Sequence, residues 1–123
     1  MSQLVPHLLL RADSSNSHAS ALLRNAGYMV TNISNDVIVE RTAGVPEVDG
    51  VIVELPAFAA IAVVRRINAR YGHSVVVLVI TPSADAVHRV LPSTPVVRPD
   101  EVDHDLISTI DLALVDHQFQ VAN

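Results

Sequence analysis

The chain has 123 residues, 50% of them hydrophobic and 17% charged, which is enough apolar material for one ordinary core and too little charge for a disordered chain. Its net charge of -5, the absence of any basic run and the absence of cysteine exclude the electrostatic footprint of a nucleic-acid binder, disulfides and thiolate metal sites. No apolar stretch reaches the roughly 18 residues of a membrane span, and residues 1–12 carry Pro6, His7 and Arg11 among their leucines without a basic start, so they do not read as a signal peptide; a cytoplasmic location is the default expectation.

Aromatic residues are scarce: Tyr28, Phe58, Tyr71 and Phe119. The core must therefore be built of Val, Ile, Leu and Ala, the usual filling of a parallel sheet covered by helices. Residues 8–10, three leucines, read as a first strand. Ser14, Ser15 and Asn16 form a capping cluster, followed by Ala19, Leu22 and Leu23 at helical spacing, and Gly27 closes that helix. Residues 28–33 read as a second strand. Residues 35–42 read as a second helix against the β-branched preference of Val37, Ile38 and Val39, and residues 43–47 as a turn.

Residues 51–53 are a third strand after Asp49 and Gly50. Phe58, Ile61, Ala62, Val64 and Ile67 repeat at helical spacing over 58–70, and Tyr71, Gly72 and His73 end that helix. Residues 74–80 contain no polar position after Ser74, which predicts a central strand buried on both faces. Thr81 and Pro82 read as a cap and first helical residue, opening a short helix over 83–91. Residues 96–97 are a fifth strand. A last helix over 100–117 carries Val102, Leu106, Ile110 and Leu114 on one stripe. Five strands alternating with five helices predict an α/β fold, a three-layer αβα sandwich. Right-handed crossovers and the flavodoxin-like strand order 2-1-3-4-5 fit this count. Residues 1–123 are expected to be a single domain. Ligands in such sheets sit at the carboxyl ends of the strands, which directs attention to Arg11, Asp13, residues 54–58, Thr81, Arg98 and Pro99.

Those strand ends resemble a response-regulator receiver (CheY-like) domain of two-component signalling. In Asp49-Gly50-Val51-Ile52-Val53-Glu54-Leu55-Pro56, Glu54 falls on the position of the phosphoacceptor aspartate. Thr81 matches the Thr or Ser that ends the fourth strand and contacts the phosphoryl group. Arg98–Pro99 matches the Lys-Pro after the fifth strand in place and charge, and Ala26-Gly27-Tyr28 is a common end to the first helix of the family. The resemblance runs from about His7 to His117.

The departures imply a degenerate pocket. Receivers hold Mg²⁺ with an acidic pair at the end of strand one, and a gap-free count back from Gly27 puts that pair at Leu10 and Arg11. Asp13 is the nearest carboxylate. Mg²⁺ takes octahedral oxygen ligands, normally one or two carboxylates with waters, and a glutamate facing an arginine is a poor offer. The acceptor is one methylene too long, Pro95 stands where the family has its switch aromatic, and the segment from Thr81 to Arg98 is short, so the fourth helix is expected to be shortened. In-line phosphoryl transfer needs a cation on the developing charge and a positioned nucleophile. The resemblance therefore implies a pseudo-receiver, not an enzyme, with no cofactor and no metal. Arg11 is expected to neutralise Glu54, with Arg98 as a second partner.

The expected action is phosphorylation-independent contact with a protein partner or an output domain, with a homodimer as one form of it and with neither membrane nor nucleic acid bound by the domain itself. Several transcription regulators and RNA-binding antiterminators begin with degenerate receivers, so the chain could be the leading part of a longer regulator. The alternatives are a phosphoaccepting receiver that uses Glu54 or Asp13, or a small-ligand-binding flavodoxin-like domain. Plainer readings stand beside these: Glu54 as a surface carboxylate, Thr81 as a helix cap only, Arg11 and Arg98 as solvated side chains, and Arg65–Arg66 as a solvated helix face. The six histidines are scattered without zinc spacing, and neither a glycine-rich phosphate loop nor a Gly-x-Ser-x-Gly elbow is present.

Overall fold

Strands that are apolar at nearly every position must be covered on both faces, and the layout follows from that. The computed structural model describes residues 5–14, 17–72 and 74–122; Ser15 and Asn16 of the expected capping cluster, and His73 at the expected helix end, lie outside them. The strands β1 (His7–Ala12), β2 (Met29–Ile33), β3 (Gly50–Glu54), β4 (Val76–Ile80) and β5 (Val96–Val97) form one parallel sheet in the order β2-β1-β3-β4-β5. They alternate with α1 (His18–Asn25), α2 (Asp36–Thr42), α3 (Ala57–Tyr71), α4 (Ala84–Val90) and α5 (Val102–Ala122). This is the expected flavodoxin-like sandwich, with a fourth helix of 7 residues.

Two cores flank the sheet. Leu9, Val51, Val53, Val77 and Val79 meet Val39 of α2, Ala60, Val64 and Ile67 of α3, and Val87 of α4. Leu8, Leu10, Ala12, Ile52, Leu78 and Ile80 meet Leu23 of α1 and Val102, Leu106 and Ile110 of α5. Each strand thus sends alternate side chains to opposite layers. β4, buried at all five positions, lies between β3 and β5, as its unbroken apolar run requires.

Local chemistry sets the element ends. Gly27 has φ +101°, which an L side chain rarely adopts, and the Tyr28 N–H returns to the Leu23 carbonyl at 3.0 Å, closing α1. α2 forms despite its β-branched residues because the Asn35 side chain accepts from the N–H groups of Val37 and Ile38 and Val39 is buried. One expectation fails: Thr81 does not cap α4. Its N–H donates to the Val97 carbonyl at 3.1 Å, so it prolongs the β4–β5 ladder, and Ser83 occupies the N-cap position before Ala84. The last helix also differs from expectation. Its first turn is a 3-10 turn over Pro99–Glu101, and α5 continues to Ala122.

Candidate functional site

The carboxyl ends of the strands bring the sequence candidates to one edge of the sheet. Ala12, Glu54, Ile80 and Val97 stand level with one another across β1, β3, β4 and β5. Arg11 is one residue below that row; Asp13, Thr81 and Arg98 are one residue above it, and Pro99 is two above. All six candidate residues, Arg11, Asp13, Glu54, Thr81, Arg98 and Pro99, therefore lie at the same edge.

Their side chains do not form the expected cluster. Arg11 does not neutralise Glu54. Its Nε donates to Asp36 Oδ1 at 2.6 Å and its Nη1 to Asp13 Oδ1 at 3.3 Å. Glu54 instead accepts from the Ser17 hydroxyl at 2.6 Å. Side-chain alternation keeps Arg11 and Glu54 apart. Leu8, Leu10 and Ala12 point to the α1/α5 layer, so Arg11 between the last two points to the α2/α3 layer. Val51 and Val53 point to the α2/α3 layer, so Glu54 points toward α1. The two charges leave the sheet on opposite faces. Arg98 is not a second partner either: its side chain is exposed, and its backbone N–H donates to Glu101 Oε1 at 3.1 Å.

Two residues that sequence reasoning left out of the site belong to it. Ser17 is the N-cap of α1, accepting from the Ser20 N–H at 3.4 Å while donating to Glu54; its capping role was readable, its acid partner was not. Asp36 sits in the first turn of α2, beside the end of β1. Its only sequence signal is an acid directly after the Asn35 cap. Thr81 is fully buried, and its hydroxyl has no hydrogen-bond partner among the described residues.

This donor set does not fit a divalent cation. Asp13, the acid nearest the end of β1, is turned to Arg11, Asp36 is held by the same guanidinium, and Glu54 is held by Ser17 on the other face. No group of three or more His, Asp or Glu side chains suited to a metal occurs among the described residues. A cation here would face a guanidinium at close range, where like charges repel. Two open cavities of about 250 and 260 Å³ lie elsewhere, toward the amino end of β4, with Val75 and His117 in both linings.

No model of a known protein family matches the sequence, and no curated protein is similar to it. Solved structures share the fold. A response regulator receiver protein from Sinorhizobium medicae superposes with a TM-score of 0.72 at 17% identity, over 92% of this chain and 97% of the other. The signal receiver domain of an HD domain-containing protein from Pseudomonas fluorescens gives 0.74 at 18%, over 94% and 98%. A de novo designed Rossmann 2x3 fold protein gives 0.65 at 14%, over 88% and 90%. The chain thus has the receiver-type, flavodoxin-like fold. A designed protein shares that architecture, so function has to be argued from the strand-end residues. Among the described residues, no helix is long and apolar enough to cross a membrane.

Proposed function

We propose that this domain is a receiver-like signalling module that acts by contact with a protein partner or an output domain, without phosphoryl transfer and without a metal. The observation that carries the reading is Arg11. Its side chain is only 11% exposed and is engaged by Asp36 and Asp13, so a fixed positive charge stands at the strand end where phosphoryl chemistry would need a divalent cation and free carboxylates. The Ser17–Glu54 hydrogen bond adds to it, because the residue at the acceptor position is tied to the start of α1. Intact-mass spectrometry after incubation with acetyl phosphate and Mg²⁺ tests the proposal, with Glu54→Gln, Glu54→Asp and Arg11→Asp variants alongside. The wild type is expected to stay unmodified. A phosphoryl mass on the wild type that Glu54→Gln abolishes would overturn it.

One observation favours a second reading, a small oxygen-rich ligand at the strand ends: the buried Thr81 hydroxyl without a partner among the described residues, since such groups are normally paired. Thermal shift with acetyl phosphate, beryllofluoride and inorganic phosphate separates the two. A saturable rise in melting temperature that Thr81→Val removes supports the ligand, and no rise supports the contact module.

A further inference from the structure

The two outer helices α3 and α5 carry complementary faces on opposite sides of the molecule. Phe58, Ala62, Arg65, Arg66 and Ala69 of α3 are all exposed and recur at helical spacing along one face. Phe58 is 84% exposed in a chain with only two phenylalanines. Arg65 and Arg66 make no ion pair or hydrogen bond among the described residues; Arg70, one turn on, lies 3.7 Å from Glu40. On α5, Asp105, Ser108, Leu112, Val115 and Asp116 are exposed along one face, with Leu112 at 62%. α3 covers one face of the sheet and α5 the other, so the Phe58 face and the Leu112 face do not pack on each other within one chain.

We propose that α3 of one copy docks on α5 of a second copy, antiparallel and head to tail. The spacing selects the orientation. With Phe58 opposite Leu112, an antiparallel register sets Ala62 opposite Ser108 and Arg65 opposite Asp105. Small residues then meet at the middle crossing, an aromatic meets Leu112 and Val115 at one end, and opposite charges meet at the other. A parallel register with Phe58 on Leu112 would bring Ala62 level with Asp116 and carry Arg65 past that acid. The contact uses different surfaces on the two copies, so a docked pair keeps one free α3 on one copy and one free α5 on the other. Such a contact builds rings or open chains and not a two-fold dimer. One helix on one helix is a small interface of the weak, transient class, and its exposed charge pair is screened by salt.

Sedimentation velocity on the whole chain tests this, from about 10 μM to about 1 mM, the range of weak interfaces, at low and high salt. The wild type is expected to show a sedimentation coefficient that climbs with concentration past that of a dimer, and less so at high salt. Phe58→Asp and Leu112→Asp are each expected to remain monomeric. Both positions are exposed, so the fold survives, and Arg65→Glu repeats the test on the α3 face. The equimolar mixture of Phe58→Asp and Leu112→Asp chains is expected to form a 1:1 dimer and nothing larger, because one intact α3 face and one intact α5 face remain between them. A monomeric wild type at low salt overturns the proposal. So does a wild-type assembly that Phe58→Asp leaves unchanged, or a mixture that stays monomeric while the wild type assembles.

Discussion

Asparagine at Asp36 probes the interaction that sets this strand end apart. The Arg11 side chain is 11% exposed, and its shorter contact is to Asp36, which is 39% exposed; its longer one is to Asp13, which is 78% exposed. Breaking a fully buried pair by removing one partner costs about 3–5 kcal/mol, because the other charge is stranded. Asp36 is partly in water and an amide oxygen can still accept from the guanidinium, which reduces the loss to about 1–2 kcal/mol. A carboxylate in the first turn of α2 also favours the helix dipole by about 0.3–1 kcal/mol. The expected destabilisation by Asp36→Asn is therefore about 2 kcal/mol. Asp13→Asn is expected to cost at most about 0.5 kcal/mol, as exposed pairs do. Arg11→Met removes the buried charge and leaves two acids that water can reach, so it should cost less than Asp36→Asn, and the double variant Arg11→Met/Asp36→Asn should fall well short of additivity. Urea denaturation reads these differences: with a slope of about 1–3 kcal/mol/M, a 2 kcal/mol loss moves the midpoint by about 1 M. Equal losses for Asp36→Asn and Asp13→Asn, or an additive double variant, would refute the assignment of Asp36 as the principal partner.

Ser17→Ala removes both the α1 cap and the partner of Glu54; a loss of about 1–2 kcal/mol is expected in the same urea assay, together with faster amide exchange in the first turn of α1. Gly44→Ala drives a Cβ into the Tyr71 ring, whose hydroxyl donates to the carbonyls of Glu40 and Arg41 and so holds the ring in place; a loss of about 1–3 kcal/mol and a lower melting temperature are expected. Thr81→Val replaces a buried hydroxyl that has no partner among the described residues with a methyl group of the same shape and should raise stability by about 1 kcal/mol; a fall in stability instead means that the hydroxyl has a partner in solution.

Much of the fold was legible because its signals are local. Residues 51–53 of β3 and all of β4 are consecutive branched apolar side chains, as a doubly covered strand requires. The Ala26-Gly27 end of α1 carries a glycine where a left-handed residue is needed. α2 was legible only through Asn35, since the Val-Ile-Val run on its own favours a strand and the two capped N–H groups outweigh it. Thr81–Pro82 misled for the opposite reason. Proline suits a first helical turn wherever it occurs, but the Thr81 N–H is taken by the Val97 carbonyl, and that bond depends on the position of β5, a strand of two residues whose pairing nothing in the local sequence announces.

The strand-end pocket was legible as a set of positions and not as a set of contacts. Arg11 and Glu54 end neighbouring strands with opposite charges, and their pairing follows if both side chains leave the sheet on one face. Which face a strand residue takes is normally read from alternation of apolar and polar positions. Here that signal is missing: residues 8–10 and 51–53 are apolar throughout because both faces of β1 and β3 are covered. The property that made these strands easy to recognise also hid the direction in which their terminal charges point. Only the packing of Leu8, Leu10 and Ala12 against α1 and α5, and of Val51 and Val53 against α2 and α3, sends Arg11 to Asp36 and Glu54 to Ser17. In a sheet buried on both faces, an end-of-strand charge finds its partner on the helix that covers its face. The candidates to weigh first are therefore the caps and first turns of the helices that start near that edge, before any charge on the next strand.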